Sequence, residues 1–194
     1  MYDLRVETSD EWVDCVLEQF DAFLADHAAA ERKACTTAMH FTARYRDKPE
    51  LIETMLEIAE DEIAHLREVF DVMRGRGLTI QPDEKNPYVN RLLEHAYSSG
   101  ERRLLDRLLI GSIAEYRGCE RFATLSRAMR RRGDAPDLAD FYRELAADDS
   151  RHRARYWDMA TLYFDEERVE ERVDTWLDRE AEVVRDLPVR PALH

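Results

Sequence analysis

The sequence predicts an all-α protein, a bundle of four long helices with two shorter helical segments. Glycine and proline are scarce, with 6 of each in 194 residues, whereas turn-rich β proteins use both more often. Charged residues make up 37% of the chain and hydrophobic residues 44%. The apolar residues recur at intervals of three and four, which places them on one face of a helix. We therefore expect one domain over 1–194, with its core in about 9–163.

Capping signals and prolines divide this pattern into helices. Thr8 to Glu11 has the form of a capping box, and Pro49 and Pro136 suit the first turn of a helix. Gly75 to Gly77 and Gly133 are typical of helix ends. The long helices are predicted at about 9–45, 49–74, 101–132 and 136–163, with a short crossing helix at 87–97, a last helix at 166–184 outside the core, and then a polar tail.

Composition restricts the classes of function. A formal charge of −13 argues against unspecific nucleic-acid binding by the whole surface, although it allows a local basic patch. The 3 cysteines are not closely paired, which favours buried thiols in a reducing compartment. No window approaches the ~20 apolar residues of a membrane span, and no leader pattern opens the chain. We expect a soluble, cytoplasmic protein without a membrane contact.

Two pairs of residues three apart carry the chemistry. Glu62 and His65 lie on one face of the second long helix, and Asp149 and His152 repeat the spacing on the fourth. Glu62 lies 13 residues after Pro49, and Asp149 lies 13 residues after Pro136. A single pair of this kind is common on a charged helix and is usually solvated. The matching register of both pairs favours a shared role.

The first and third long helices each add an acid at an apolar register. Glu31, followed by Arg, aligns in the repeat with Glu120, and an acid lies five residues earlier in both helices, at Asp26 and Glu115. Glu115 is the alternative to Glu120, because its separation from Asp149 fits the repeat about as well. We prefer Glu120 because the repeat aligns it with Glu31.

These residues form the ligand set of a two-metal site. In helix bundles, one Glu from each of two helices and a carboxylate and His three apart from each of the other two hold two iron or manganese ions. Four carboxylates would balance the charge of two ferrous ions, and buried without metal they would each cost several kcal/mol. Oxygen and imidazole donors suit iron, with manganese as the alternative. The predicted ligands are Glu31, Glu62, His65, Glu120, Asp149 and His152.

Neighbouring residues have two interpretations each. His27 lies one turn before Glu31 and is either a partner that orients this carboxylate or a hydrogen-bonded core histidine. Small residues, among them Gly111 and Gly118, either leave space for substrate or dioxygen or allow close helix packing.

With these residues in view, the chain resembles the tRNA methylthio-isopentenyl-adenosine hydroxylases, which are ferritin-like non-haem di-iron monooxygenases. The resemblance covers about Trp12 to Met159, and the third-helix motif is its specific part. It implies hydroxylation of the isopentenyl side chain of a modified adenosine next to the anticodon, with two irons, dioxygen and an external electron donor. The matching residues are Asp26, His27, Glu31, Glu62, His65, Glu115, Arg117, Cys119, Glu120, Arg121, Phe122, Ala123, Arg151 and His152.

The chain departs from the family in one ligand. Asp149 stands where the family usually has Glu, which is one methylene longer, and the segment between the first two helices is short. No Gly-rich dinucleotide fingerprint is present, so a separate reductase or ferredoxin must supply electrons. We expect a monomer or a homodimer.

The anticodon loop of tRNA is the expected substrate, and arginines are the candidates for contacting it. Arg130, Arg131 and Arg132 end the third helix, and Arg117 belongs to its motif. A solvated helix end that is paired with nearby acids is the alternative interpretation of the terminal arginines.

Two other functions stay open. One is a ferroxidase or peroxidase similar to ferritin or rubrerythrin, or a hydroxylase of another small substrate on the same bundle. The other is a metal-binding or interaction module without enzymatic activity, which would hold no redox-active metal.

Overall fold

The computed structural model describes residues 2–82, 86–133 and 135–194, and these residues contain helices and no strand. The all-α class is therefore confirmed. No helix in the described ranges is both long and apolar enough to cross a membrane. The helices are α1 Asp10–Glu18, α2 Phe20–Arg44, α3 Pro49–Gly75, α4 Pro87–Leu93, α5 Gly100–Arg132, α6 Pro136–Tyr163 and α7 Glu166–Asp186.

The described residues group into two compact units, which we treat separately. The first-hairpin unit consists of residues 14–82 and 190–193, and the second-hairpin unit of residues 2–13, 86–189 and 194. The expectation of one domain over 1–194 stays a prediction.

In the first-hairpin unit, α2 and α3 pack against each other. Leu24 and Phe41 of α2 and Met55, Ile58 and Met73 of α3 are fully buried, as their helical spacing predicts. Pro49 is the first residue of α3, where its missing N–H would have had no helical acceptor. Beyond α3, Gly77 adopts a positive φ of 74°, a conformation that glycine enters without steric cost.

In the second-hairpin unit, α5 packs along α6, and α7 contacts α4, α5 and α6. Gly133, with a φ of 74°, is the left-handed C-cap of α5. A buried carboxylate joins α7 to α5: Asp106 accepts hydrogen bonds from Arg172 Nε at 2.7 Å and from Trp176 Nε1 at 3.0 Å. Asp106 also accepts from the Tyr97 backbone N–H at 2.8 Å, which fixes the chain just before α5.

The N-terminal segment, residues 2–9, lies along α5 in this unit. The Tyr2 hydroxyl donates to Ser112 Oγ at 2.6 Å, and Arg117 Nη2 donates to the Val6 carbonyl at 2.8 Å. The sequence indicates a helix cap at Thr8 but no role for Tyr2 or Val6. Their contacts make the segment a part of the helical packing.

Two helix bounds differ from the predicted ones. The first predicted helix, 9–45, is divided at Gln19, where φ is −122° and ψ is 42°. No proline or glycine marks this break. The Phe20 ring lies below the guanidinium of Arg76, 5.3 Å from its ring centroid to the guanidinium carbon, and we attribute the break to this tertiary contact. The crossing helix ends at Leu93 instead of residue 97, and the part of the predicted connection at residues 83–85 lies outside the described residues.

Candidate functional site

The first-hairpin unit brings three of the predicted ligands together. Glu31 of α2 and Glu62 and His65 of α3 are buried, and one ligand atom of each lies within 4.8 Å of the others. His65 Nδ1 is 3.8 Å from Glu31 Oε2 and 3.7 Å from Glu62 Oε2. The spacing of three puts the imidazole and the Glu62 carboxylate on one face of α3, and that face packs on α2.

His27 orients the carboxylate of Glu31. Its Nε2 lies 2.6 Å from Glu31 Oε1, and both side chains are buried. When Glu31 is ionised, as a metal ligand would be, its carboxylate can only accept, and His27 Nε2 then carries the hydrogen and donates it. His27 therefore lies outside the ligand set and fixes Oε1 of Glu31, which leaves Oε2 of Glu31 facing His65.

This cluster fits a metal ion by its chemistry. Two carboxylates and one imidazole converge in a buried place, and oxygen and nitrogen donors of this kind suit iron or manganese. Two carboxylates this close repel each other unless a cation or protons neutralise them. A bound cation would remove the repulsion between the carboxylates of Glu31 and Glu62. A purely structural role would not require the two acids to converge.

The second-hairpin unit contains a related arrangement. His152 Nδ1 of α6 lies 3.7 Å from Glu115 Oε2 of α5. His152 and Asp149 are buried and lie three residues apart on α6. The carboxylate of Asp149 lies against Gly118 of α5, where an added Cβ would come within 2.5 Å of Asp149 Oδ2. Only a glycine at position 118 leaves room for the carboxylate in this position.

Glu120 has a different environment. The Thr8 backbone N–H donates to Glu120 Oε1 at 3.0 Å, and Arg117 Nη1 donates to Oε2 at 3.1 Å. The Thr8 hydroxyl also contacts Oε2, and the side chain is 21% exposed. Both oxygens are thus engaged by the N-terminal segment and by α5 itself. These contacts do not support the preference for Glu120 as a ligand and favour the alternative, Glu115.

Asp26, the acid of α2 that matches Glu115 in the repeat, also has a structural contact. Its Oδ2 accepts the backbone N–H of Leu193 at 2.8 Å. It therefore holds the C-terminal segment within the first-hairpin unit.

The basic candidates fall into two groups. Arg117 is fully buried, and it donates from Nε to Glu180 Oε1 at 2.8 Å in addition to its bonds with Glu120 and Val6. This placement does not favour contact with a substrate. Arg130, Arg131 and Arg132 are exposed at the end of α5, and Arg130 forms an ion pair with Asp140.

Gly111 and Gly118 of α5 fit one of the two interpretations that the sequence allowed. The space at Gly118 is used by the Asp149 carboxylate, and at Gly111 an added Cβ would come within 2.8 Å of the Tyr156 ring. Both glycines therefore serve close packing. Burial, together with the charge of Asp149, raises the pKa of the Cys119 thiol to about 11, so this thiol stays protonated at neutral pH.

In each unit, one long helix carries a carboxylate and a His three residues apart, and the helix packed against it carries a Glu. Two such helix pairs define the ferritin-like class of non-haem di-iron proteins. A solved structure supports this assignment over the whole chain: Protein 43 with aldehyde deformylating oxygenase activity from Synechococcus matches with a TM-score of 0.92 and 27% identity, covering 100% of this chain and 96% of that one.

The family model of tRNA-(MS[2]IO[6]A)-hydroxylase (MiaE) matches residues 2–194. A tRNA 2-(methylsulfanyl)-N(6)-isopentenyladenosine(37) hydroxylase from Pseudomonas putida is 30% identical over 182 residues, which are 94% of this chain and 86% of that protein. A hydroxylase of the same name from Salmonella typhimurium is 28% identical over 153 residues, 74% of this chain and 53% of that protein. The chain belongs to the MiaE family of hydroxylases.

Proposed function

We propose that this protein uses two irons, dioxygen and an external electron donor to hydroxylate the isopentenyl side chain of a modified adenosine in tRNA. The observation that carries the proposal is the buried convergence of Glu31, Glu62 and His65 in a chain of the MiaE family. The names of its relatives supply the substrate class.

The proposed ligands come from both units. In ferritin-like proteins two helices give one Glu each and two give a carboxylate and His pair, and each unit of this chain supplies half of such a ligand set. Four carboxylates and two neutral imidazoles balance two ferrous ions. The proposed ligands are Glu31, Glu62, His65, Glu115, Asp149 and His152, with Glu120 as the alternative to Glu115.

A bound pair of irons would supply the activation of dioxygen, and the chain's own residues would control its surroundings. His27 would hold Glu31 in one orientation by donating from Nε2. Gly118 would let the short Asp149 carboxylate approach α5. Buried apolar neighbours, among them Ile58 and Leu108, would keep water from the ligand face of each hairpin.

Contact with tRNA would be local, because the net charge of −13 repels a polyanion over most of the surface. The exposed arginines 130 to 132 at the end of α5 are the proposed phosphate contacts. An anticodon base is single-stranded, so its side chain could enter a protein pocket without the opening of a duplex. A tRNA substrate places the protein in the cytoplasm.

Electrons would come from a second protein, a reductase or a ferredoxin. The sequence contains no Gly-rich dinucleotide fingerprint. The donor must therefore reduce the metal pair without a nicotinamide site on this chain.

Single-turnover assays would test the proposal. We expect the reduced protein to contain about two irons per chain and to hydroxylate a prenylated anticodon stem-loop. Charge reversal at Arg130, Arg131 and Arg132 should weaken stem-loop binding and flatten its salt dependence. Catalytic oxidation of added ferrous iron, with oxygen use unchanged by every prenylated substrate, would replace the proposal with a ferroxidase function.

A further inference from the structure

Helix α3 has an exposed stripe on the side away from its ligands. The stripe contains three large apolar side chains that are well exposed: Leu56 at 43%, Ile63 at 49% and Phe70 at 37%. They lie seven residues apart, so they follow one line along the helix. Exposed charged residues fill the positions between and beside them. We call this line the α3 stripe; its members are Glu53, Leu56, Glu60, Ile63, Arg67, Phe70 and Arg74.

The stripe is separate from the face that builds the core. Met55, Ile58 and Val69 are fully buried on the other side of α3, together with Glu62 and His65. A helix at the surface of a folded protein usually has a single apolar face. On this second line every seventh residue is a large apolar side chain, and charged residues lie three or four positions from each of them. The line therefore presents an apolar contact once in every two turns, flanked by charges that a partner helix can pair.

The order of side chains along the stripe is symmetric about Ile63. Leu56 and Phe70 lie seven residues to either side of it. The acids Glu60 and Glu53 lie three and ten residues before it, and the bases Arg67 and Arg74 lie four and eleven residues after it. A reversed copy of the helix therefore presents a base within one position of each acid of the original.

We propose that the α3 stripe pairs with the same stripe of a second copy of this chain, antiparallel, around a twofold axis at Ile63. In this register Ile63 meets Ile63 of the other copy, and Leu56 meets Phe70. Glu60 lies beside Arg67 and Glu53 beside Arg74, and the symmetry repeats each pairing. Such an isologous contact closes at two copies.

The charges select this partner and this direction. The side chains of Glu53, Glu60 and Arg67 make no hydrogen bond or ion pair within the described part of the chain, so they are available to an interface. Parallel pairing would place each acid opposite the same acid. A wholly acidic or wholly basic partner would meet like charges over half of the stripe, whereas a reversed copy meets opposite charges along all of it.

Other acids flank the stripe and limit its strength. Glu57, Glu68 and Asp71 are exposed beside it, and Asp71 pairs with Arg74 of its own helix at 2.9 Å. We expect a dissociation constant in the micromolar range, on the order of 10 μM. This pairing is independent of the proposed reaction.

The first experiment measures the mass of the full-length, iron-loaded protein by sedimentation over a concentration series from 1 to about 200 μM. We expect a monomer–dimer equilibrium. Ile63→Glu places two carboxylates at the axis and removes the apolar contact between the two Ile63 side chains, so it should raise the dissociation constant by at least about 100-fold. Leu162→Glu changes a 54% exposed leucine of α6, outside the stripe, and should leave the equilibrium unchanged.

A charge swap tests the register. Glu60→Arg alone and Arg67→Glu alone should each weaken the dimer, since each places like charges opposite each other. The double variant restores opposite charges in both pairings and should return the dissociation constant to within a few-fold of the wild-type value. Circular dichroism and iron content show whether each variant is folded.

Three results would overturn the proposal. One is a monomer at every concentration, and a second is a dimer that Ile63→Glu leaves intact. The third is a double charge swap that does not restore pairing. A different result would reassign the stripe. If the wild-type protein is a monomer, and Ile63→Glu lowers turnover with a ferredoxin without changing the iron content, the stripe is a docking site for the electron donor instead.

Discussion

Helices α2 and α5 each carry two acids five residues apart, and the two helices use them in opposite order. In α2 the second acid, Glu31, converges with Glu62 and His65, while the first, Asp26, accepts a backbone N–H from the C-terminal segment. In α5 the first acid, Glu115, lies near His152. The second, Glu120, accepts a backbone N–H from the N-terminal segment.

The division of roles between the two acids of each helix follows from helix geometry. Five residues turn a helix by about 500°, so two acids at this spacing point about 140° apart and cannot serve the same place. One of them faces the paired helix, and the other is left to hold a neighbouring segment. An internal repeat therefore preserves the residue types, while the packing of each hairpin decides which acid has which role.

The largest expected effect concerns the two acids that face histidines. Glu31→Ala and Glu115→Ala should each lower iron binding and hydroxylation by more than about 100-fold, since either removes a proposed ligand outright. Metal analysis and single-turnover assays with a prenylated stem-loop would measure both losses.

Their matched controls are the acids five residues away. Asp26→Ala and Glu120→Ala should keep the iron and lower the free energy of unfolding instead, by about 1–3 kcal/mol, because each leaves a backbone N–H without its acceptor. Iron loss in Glu120→Ala, with iron kept in Glu115→Ala, would reverse the assignment in α5.

Gly118→Ala should disturb only the second-hairpin unit. The new methyl group would come within 2.5 Å of Asp149 Oδ2, so the carboxylate must move. We expect iron content to fall from about two to about one per chain. Gly111→Ala, which crowds the Tyr156 ring instead, should cost about 1–3 kcal/mol of stability and keep both irons; equal iron loss in the two variants would mean that packing damage alone explains it.

His27→Phe should weaken the first-hairpin unit's metal affinity by about 10–100-fold, since Glu31 loses the donor that orients it. His27→Gln can still donate from its amide and should recover part of the affinity. Competition with a chelator would give the affinity of each variant, and wild-type affinity in His27→Phe would show that this histidine only fills the core.

The smallest effect concerns the N-terminal segment, which braces only the second hairpin. Burial raises the pKa of Tyr2 to about 12, against the opposing effect of its hydrogen bond to Ser112. An unfolded tyrosine ionises near pH 10, so the unfolded state releases this proton first, and the free energy of unfolding should fall as the pH rises from 10 to 12. In denaturant unfolding, the free energy of unfolding of Tyr2→Phe should fall less steeply with pH between 10 and 12 than that of the wild type. Equal slopes would show that Tyr2 does not cause the alkaline loss of stability.

The sequence predicted the long helices well because the apolar spacing, the prolines at 49 and 136 and the glycine at 133 act locally. Convergence of Glu31, Glu62 and His65 also follows from spacing, since a bundle helix turns its apolar face inward. The environment of Glu120 could not be predicted, because its partner Thr8 is more than a hundred residues away and looked like an ordinary helix cap. The break at Gln19 has no local signal either and depends on tertiary contacts of Phe20.

Glu62 lies 13 residues from each end of α3, and Asp149 lies 13 residues after the start of α6. At 1.5 Å per residue these ligand positions are about 20 Å from the helix ends named. Insertions, deletions and substitutions at the helix ends can therefore accumulate without moving the ligands. Such a chain can diversify its termini and connections over evolutionary time, and so change which molecules it meets, while the chemistry at the helix centres is inherited unchanged.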